Sequence, residues 1–523
     1  MTPASPHPEQ IRSHLVQVYR KLPLLEQVMV QLSSVIYEPT SRALFLNCLN
    51  YLNENDRGGK HFTASTIKPY IDRLIERGVL TQAGGAGPQC NPLLAEIATR
   101  DAVKANRFER LVEAVQKGFP VPRRWKDGPV SFGNDRQLIR EIRVGVYRKD
   151  LKFINKQLED YYRYSYQKEK LSLDDIYQQI CNNPFDPEWF RTLPSELYEG
   201  ALISILNYSI LELTSADAAV ALLESDVASG GKNAKQNVVL QRVVLTEQWL
   251  LRGRLPEAQQ LLERVPEDYQ HQFASLRGHL AFLQGDDATA IAQYSTALRA
   301  LKQGTGKRKV YFQSMSGLFF ILALLKDGTA DRLEEAAEYT SIARQAKHWL
   351  SPTYAVLENV IKVQQGDLGK KAWVSQMPIA THKAGNSLQT LIACLCLYWV
   401  DLDQAKKHLP RLLEPFYDDA AAAGYLWMAK TIGELLVKLK PRSPYGKQAA
   451  ALLPDSNLRS LADLIQPQEA WELSLNALSH LRKDQPQAVA KTDTTQRLAW
   501  FITFYPTSGC VLQPREQTLN AKG

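Results

Sequence analysis

A chain of 523 residues, 45% hydrophobic and 23% charged, has the composition of a globular protein large enough for two to four domains. Its longest apolar run, "SLQTLIACLCLYWV", falls short of the roughly 20 residues that a membrane-spanning helix needs and stops at Asp401. The opening "MTPASPHPEQIRSHLVQVYRK" lacks the basic start and apolar core of a secretion signal, and six cysteines in so long a chain make no disulfide scaffold, so a cytoplasmic location is expected.

Formal net charge is +8, and it is concentrated. Between Arg100 and Lys170 the basic residues outnumber the acidic by eight, which leaves the rest of the chain neutral overall. A single basic segment points either to a surface that faces a polyanion or to a solvated, lysine-rich helical face.

Residues 1–110 predict a winged helix-turn-helix domain. "LPLLEQVMVQLSSVIYE" and "SRALFLNCLNYLN" are two helices, the second with Ser41 as a cap. In the third, Ile67, Tyr70, Ile71, Leu74 and Ile75 fall at i, i+3, i+4, i+7 and i+8, on one amphipathic face. Thr63 or Ser65 caps it, Pro69 is expected in its first turn, and Gly78 ends it. "VLTQ" and "PQCN" can pair as strands across "AGGAG", completing the order helix, helix, helix, ribbon. The third helix of such a module enters the DNA major groove, and here it offers Thr66, Lys68 and Arg73. Asp72 and Glu76 on the same face oppose phosphate and the wing carries no basic residue, so the leading expectation is a module that joins proteins or caps a solenoid rather than one that reads DNA sequence.

Residues 111–235 read as a basic helical connector. "KGFPVPRRWKDGPVSFGND" is a Pro/Gly-rich loop with Arg123, Arg124 and Lys126. Arg140, Arg143, Arg148 and Lys149 follow in a helix-rich stretch, and these seven side chains are expected to contact phosphates without sequence preference. The run "YYRYSY" at 161–166 offers rings for base stacking, although tyrosines at helical spacing belong more often to a core.

From 236 to 482 helical pairs recur. Gly253 precedes Ala258 by five residues, and Gly285 precedes Ala290 by five. Leu262 and Tyr294 stand four residues after the alanines, and Val265 and Ala297 seven after. This grammar resembles the tetratricopeptide repeat: a glycine turns the chain, a small alanine admits the partner helix, and a large residue fills the next interface. Weaker copies carry Ala336 with Ala343, and Ala405 with Leu409 and Leu412. The default partner of such a solenoid is a peptide or protein on its concave face. Residues 483–496 are a polar linker, and 497–523 predict a β-hairpin that opens a further domain absent from the chain.

No phosphate-binding GxxxxGK[ST] loop, HExxH, GxSxG or zinc-spaced Cys/His set occurs, and "QGTGKRKVYF" reads as a basic inter-helix loop. Nothing in the sequence asks for a metal, a cofactor or a catalytic residue. His271 and His279, eight apart, read as structural or solvent-facing rather than ligating, and the acid pairs at 286–287 and 418–419 as turns or helix starts.

The terminal segment "QRLAWFITFYPTSGCVLQPREQTLNAKG" resembles the entry to the region before the motor in bacterial Swi/Snf-like DEAD/DEAH-box helicases, at Arg497, Leu498, Trp500, Glu516, Gln517 and Gly523. The resemblance implies that an ATP-hydrolysing motor follows. The expected fold is all-α: a winged helix, the connector, a tetratricopeptide-like α-solenoid and a short C-terminal hairpin. The expected function is that of an accessory region of an ATP-dependent DNA translocase, binding duplex DNA, a protein partner, or both. The alternative is a stand-alone adaptor or transcription-regulator arm that binds a peptide.

Overall fold

The computed structural model describes residues 8–465 apart from 55–58, 83–86, 127, 165–170, 231–234, 266–269, 313, 347–349, 368–386 and 454–457. The described residues are predominantly helical, with 23 α-helices and one two-stranded sheet. None of these helices is long and apolar enough to cross a membrane. The expected linker and terminal hairpin lie outside the described residues, as does the tip of the ribbon. The chain divides into two compact units between Ile205 and Leu206, so the basic connector is shared between them rather than standing as a body of its own.

The first unit contains α1 (Pro8–Arg20), α2 (Leu24–Ile36), α3 (Arg42–Tyr51), α4 (Ala64–Glu76), β1 (Leu80–Thr81), β2 (Gln89–Cys90), α5 (Ala95–Lys104), α6 (Phe108–Gly118), α7 (Asp135–Arg148), α8 (Leu151–Tyr164), α9 (Leu173–Cys181) and the short α10 (Pro187–Phe190). Helix α11 (Ser195–Glu212) runs across the division. The Ser41 hydroxyl accepts from Leu44 N, a cap of the kind that stabilises a helix by about 1 kcal/mol. Thr63 and Thr66 cap α4 reciprocally. Because α4 starts at Ala64, Pro69 sits in its second turn rather than its first and leaves the carbonyl of Ser65 without a helical donor. Gly78 follows α4 at φ 73°, as the sequence predicts, and β1 and β2 pair antiparallel with Leu80 opposite Cys90. Helix α2 is buried along nearly its whole length, against α5 and α6.

The second unit continues with α12 (Asp217–Ala228), α13 (Lys235–Arg252), α14 (Leu255–Glu263), α15 (Gln270–Leu283), α16 (Asp287–Thr305), α17 (Ser316–Asp327), α18 (Ala330–Gln345), α19 (Ser351–Gln364), α20 (Ser387–Val400), α21 (Leu402–Ala422), α22 (Leu426–Leu439) and α23 (Tyr445–Leu452). Gly253 and Gly285 take positive φ at the α13–α14 and α15–α16 turns, where a side chain would be strained. Ala258, Ala290, Ala336 and Ala405 are all fully buried, and Leu262, Tyr294 and Leu409, one turn later, are buried with them. Asp286 caps α16 through Thr289 N, and those hydrogen bonds hold its carboxyl below the usual range. Asp418 and Asp419, by contrast, lie in the last turns of α21 and not at a helix start. His279 is buried and stacked on Phe319 with ring centroids 3.8 Å apart. Burial lowers its pKa to about 3, so the ring is neutral.

The last helices of this unit return to its first. Helix α22 packs on α13, and Trp427 meets Phe319 of α17. The Tyr425 hydroxyl bonds that of Ser209 at 2.6 Å. Beyond α23, Arg459 N donates to the carbonyl of Leu283, its guanidinium binds Asp287 and the carbonyl of Gly285, and its own carbonyl accepts from Trp427 Nε1 at 2.7 Å.

One buried acid organises the start of α17. Glu247 of α13 accepts from Met315 N at 2.7 Å, just ahead of that helix. Nearby, Tyr339 receives Phe312 N, and the Tyr339 and Tyr354 hydroxyls close over Gly317, where a Cβ would clash with both. Burial raises the Glu247 pKa to about 7, against the two hydrogen bonds that lower it. A carboxyl whose folded pKa lies above its unfolded value contributes stability that is complete below about pH 4.5 and is lost as pH rises through about 7. Glu247→Gln keeps a carbonyl for Met315 N and removes the charge. The wild type should lose stability relative to this variant by up to roughly 3 kcal/mol between pH 4.5 and 8, read by urea unfolding. Parallel pH profiles would show that Glu247 does not titrate in this way.

Candidate nucleic-acid interface

Helix α8 is two-faced. Ile154, Leu158 and Tyr161 are buried at i, i+4 and i+7, while Lys152, Lys156, Glu159 and Arg163 are exposed along the opposite side. Lys152 and Arg163 are eleven residues apart, about 16 Å along the helix. Lys149, exposed and left-handed at φ 61°, caps α7 just ahead of this row.

A small hairpin stands beside the far end of α8. Arg123 and Val130 form an antiparallel bridge, Arg124 N donates to Pro129 O and Ser131 N to Pro122 O. The turn closes through Gly128 N to Trp125 O at 2.9 Å. Buried Val130 donates its N–H to Asp160 Oδ2 of α8, and buried Phe132 packs edge-on to Tyr161. These anchors hold the loop tip against α8. The Arg124 guanidinium lies over the Tyr164 ring at 5.0 Å and that of Arg163 at 5.5 Å from the same ring. The Arg123 guanidinium folds back to Gly128 O, while Lys126 is exposed. Trp125 is 59% exposed, among the most open large apolar side chains described. Its indole packs against Gly128, where an added Cβ would come 2.6 Å from the ring.

The ten residues expected to meet nucleic acid divide sharply. Arg123, Arg124, Lys126 and Lys149 lie at the surface just described. Arg140 and Arg143 face inward: each is 2% exposed. Arg140 pairs with Glu38 and Glu141. Arg143 donates to Glu96 at 2.8 Å, to Ser34 O at 2.7 Å and to Thr99 at 2.8 Å, and stacks on Tyr37. Burial works against the Arg143 charge, but Glu96, Tyr147 and Tyr37 more than offset it, and its pKa lies above the ordinary arginine value. Arg148 is held by Glu109 through two nitrogens. On α4, Arg73 pairs with the buried Glu26, and Asp72 with Arg42. Thr66 is exposed but spends its hydroxyl on the helix cap, and Lys68 is exposed.

Trp125, Lys152, Lys156, Arg163 and Tyr164 were not singled out one by one in the sequence. The i, i+4, i+7, i+11 spacing of the α8 residues is the signal that finds four of its exposed positions. Among the described tyrosines of "YYRYSY", Tyr161 is core, the Tyr162 hydroxyl donates to Leu171 O, and Tyr164 lies at the surface cluster. Comparison with protein-family models, with curated proteins and with solved structures finds no match for this chain.

The inward pairs give a test that separates core from surface. Arg143→Ala strands Glu96 without its charge partner, so the first unit should lose about 3–5 kcal/mol in urea unfolding. Lys156→Ala should change stability by less than about 0.5 kcal/mol. Equal effects would contradict this division.

Proposed function

We propose that this chain is a non-catalytic binding region that engages DNA through the exposed row of α8 and the 122–131 hairpin, as an accessory arm of a Swi/Snf-like DNA translocase. The observation that carries the DNA-binding part is the basic cluster itself: Lys152, Lys156 and Arg163 along one face of α8, with Lys149 just ahead of them and Arg124 and Lys126 on the hairpin at the far end. Cations spaced over about 16 Å suit a phosphate backbone, which binds through counterion release. The link to a motor rests on the resemblance of residues 497–523, and the cytoplasmic location on composition.

The order α2, α3, α4, β1, β2 supports a winged-helix reading of the N-terminal module. With Arg73 and Asp72 committed to Glu26 and Arg42, its third helix has few side chains left for reading bases, which favours a joining role over sequence recognition. The buried alanines after the glycine turns support a tetratricopeptide-like reading of the second unit. The alternative, an adaptor with a peptide in a concave groove, is weakened because α22 covers part of α13 and α17. A protein partner would then use the outer helices.

Duplex binding should weaken steeply with salt, with log K falling by about 0.9 per neutralised phosphate for each decade of salt. Replacing Arg123, Arg124 and Lys126 together by alanine should flatten that slope, as should Lys152→Ala with Lys156→Ala. Fluorescence anisotropy of a labelled duplex across a salt series reads both. Absence of salt-dependent binding by the wild type would end the DNA reading.

A further inference from the structure

We propose that Trp125 is a stacking platform for an unpaired base, so that the preferred ligand of this surface is a DNA strand leaving a duplex rather than an uninterrupted duplex. The inference rests on the DNA-binding reading above and adds the ligand class.

Three features of the tip lead there. A tryptophan this exposed gives up apolar burial, and here it does so on a turn that the backbone fixes on both sides. The ring is not loose: it rests on Gly128, and the Val130–Asp160 bond ties the hairpin to α8. An indole that packs against backbone at Gly128 and yet stays 59% exposed is pre-organised for a planar group, because little side-chain freedom remains to be lost on binding. Its sequence neighbours are Arg124 and Lys126, with Arg124 over Tyr164, so a base stacked on the indole would carry its phosphates past cations.

The bases of an intact duplex are stacked on each other and offer no free face to a side chain outside the groove. A splayed strand offers one per nucleotide, and stacking on an aromatic ring tolerates any base. The α8 row supplies the backbone-tracking charge and the hairpin the ring. Among the described residues of the hairpin Trp125 is the one large apolar side chain that is exposed, which is too little apolar area to insert into a lipid surface.

The test uses the whole chain and three labelled probes: a blunt duplex, the same duplex with a single-stranded thymine tail, and the tail strand by itself. Anisotropy should show the tailed duplex bound more tightly than the blunt one. Trp125→Ala should weaken tailed-duplex and single-strand binding about tenfold while leaving the blunt duplex and its salt slope unchanged, and Trp125→Phe should restore most of the loss. Far-UV circular dichroism should be unchanged by either variant, as expected for an exposed side chain. Wild-type binding to the blunt duplex with no gain from the tail, or an equal loss on all probes in Trp125→Ala, would overturn the stacking role while leaving the DNA reading intact. No salt-dependent binding to any probe would remove both. Sedimentation with anionic vesicles, lost in Trp125→Ala, would overturn the proposal in favour of a lipid surface.

Discussion

The Arg143 guanidinium lies inside the first unit with Glu96, Thr99, Ser34 and Tyr37 around it, and three helices are fixed by what it needs. A buried cation costs several kcal/mol of lost hydration, and only near-complete pairing offsets that. Here α7 supplies the charge, α5 supplies the carboxylate and a hydroxyl, and the end of α2 supplies a carbonyl. Tyr147 completes Glu96 by donating to its second oxygen at 2.7 Å, and Ser34 and Thr99 bond one another. Arg100 repeats the device on the other side, donating to the carbonyls of Ile180 and Pro184 while lying over Trp189. Within the first unit, the N-terminal helices and the connector helices as far as α10 are thereby one body, joined by directional bonds that admit a single register.

That constraint also sorts the charge. The excess of eight over Arg100–Lys170 counts residues whose partners stand earlier in the chain. Glu38 and Glu96 lie outside the segment and neutralise Arg140 and Arg143 within it. What remains outside is smaller and better placed: a row on one face of α8 and a tip beside it. The basic segment therefore holds buried, paired arginines as well as exposed cations, and the buried set belongs to neither of the surface readings its charge suggests.

Much of the helical layout was legible because it follows from local rules. Ser41, Thr63, Gly78, Gly253 and Gly285 mark helix ends by capping and turn chemistry that involve only near neighbours. The alanine and large-residue spacing of the second unit foretold which side chains are buried. The candidate interface was legible in part. "RRWK" stood out as basic, but nothing local shows that Arg124 comes to lie over Tyr164, forty residues on. Equally, no local rule separates Arg143, which is core, from Lys149, which is surface. Both are basic residues around the end of one helix, and only the approach of α5 decides between them. Pro69 falls in the second turn because two candidate caps two residues apart, Thr63 and Ser65, are chemically equivalent in the sequence, and the structure uses the earlier.

The return of the last helices onto the first has a consequence for how the second unit can change over time. An open array of helical pairs can gain or lose a copy, because each pair touches only its neighbours. Here Arg459 reads the α15–α16 turn through the backbone of Leu283 and Gly285, and Trp427 reads Arg459. Adding or removing one pair between them would carry Arg459 past that turn and leave the closing bonds unmade. The number of pairs is thus counted by the clasp, and the lineage of this unit is expected to diverge by substitution within pairs, not by duplication of them.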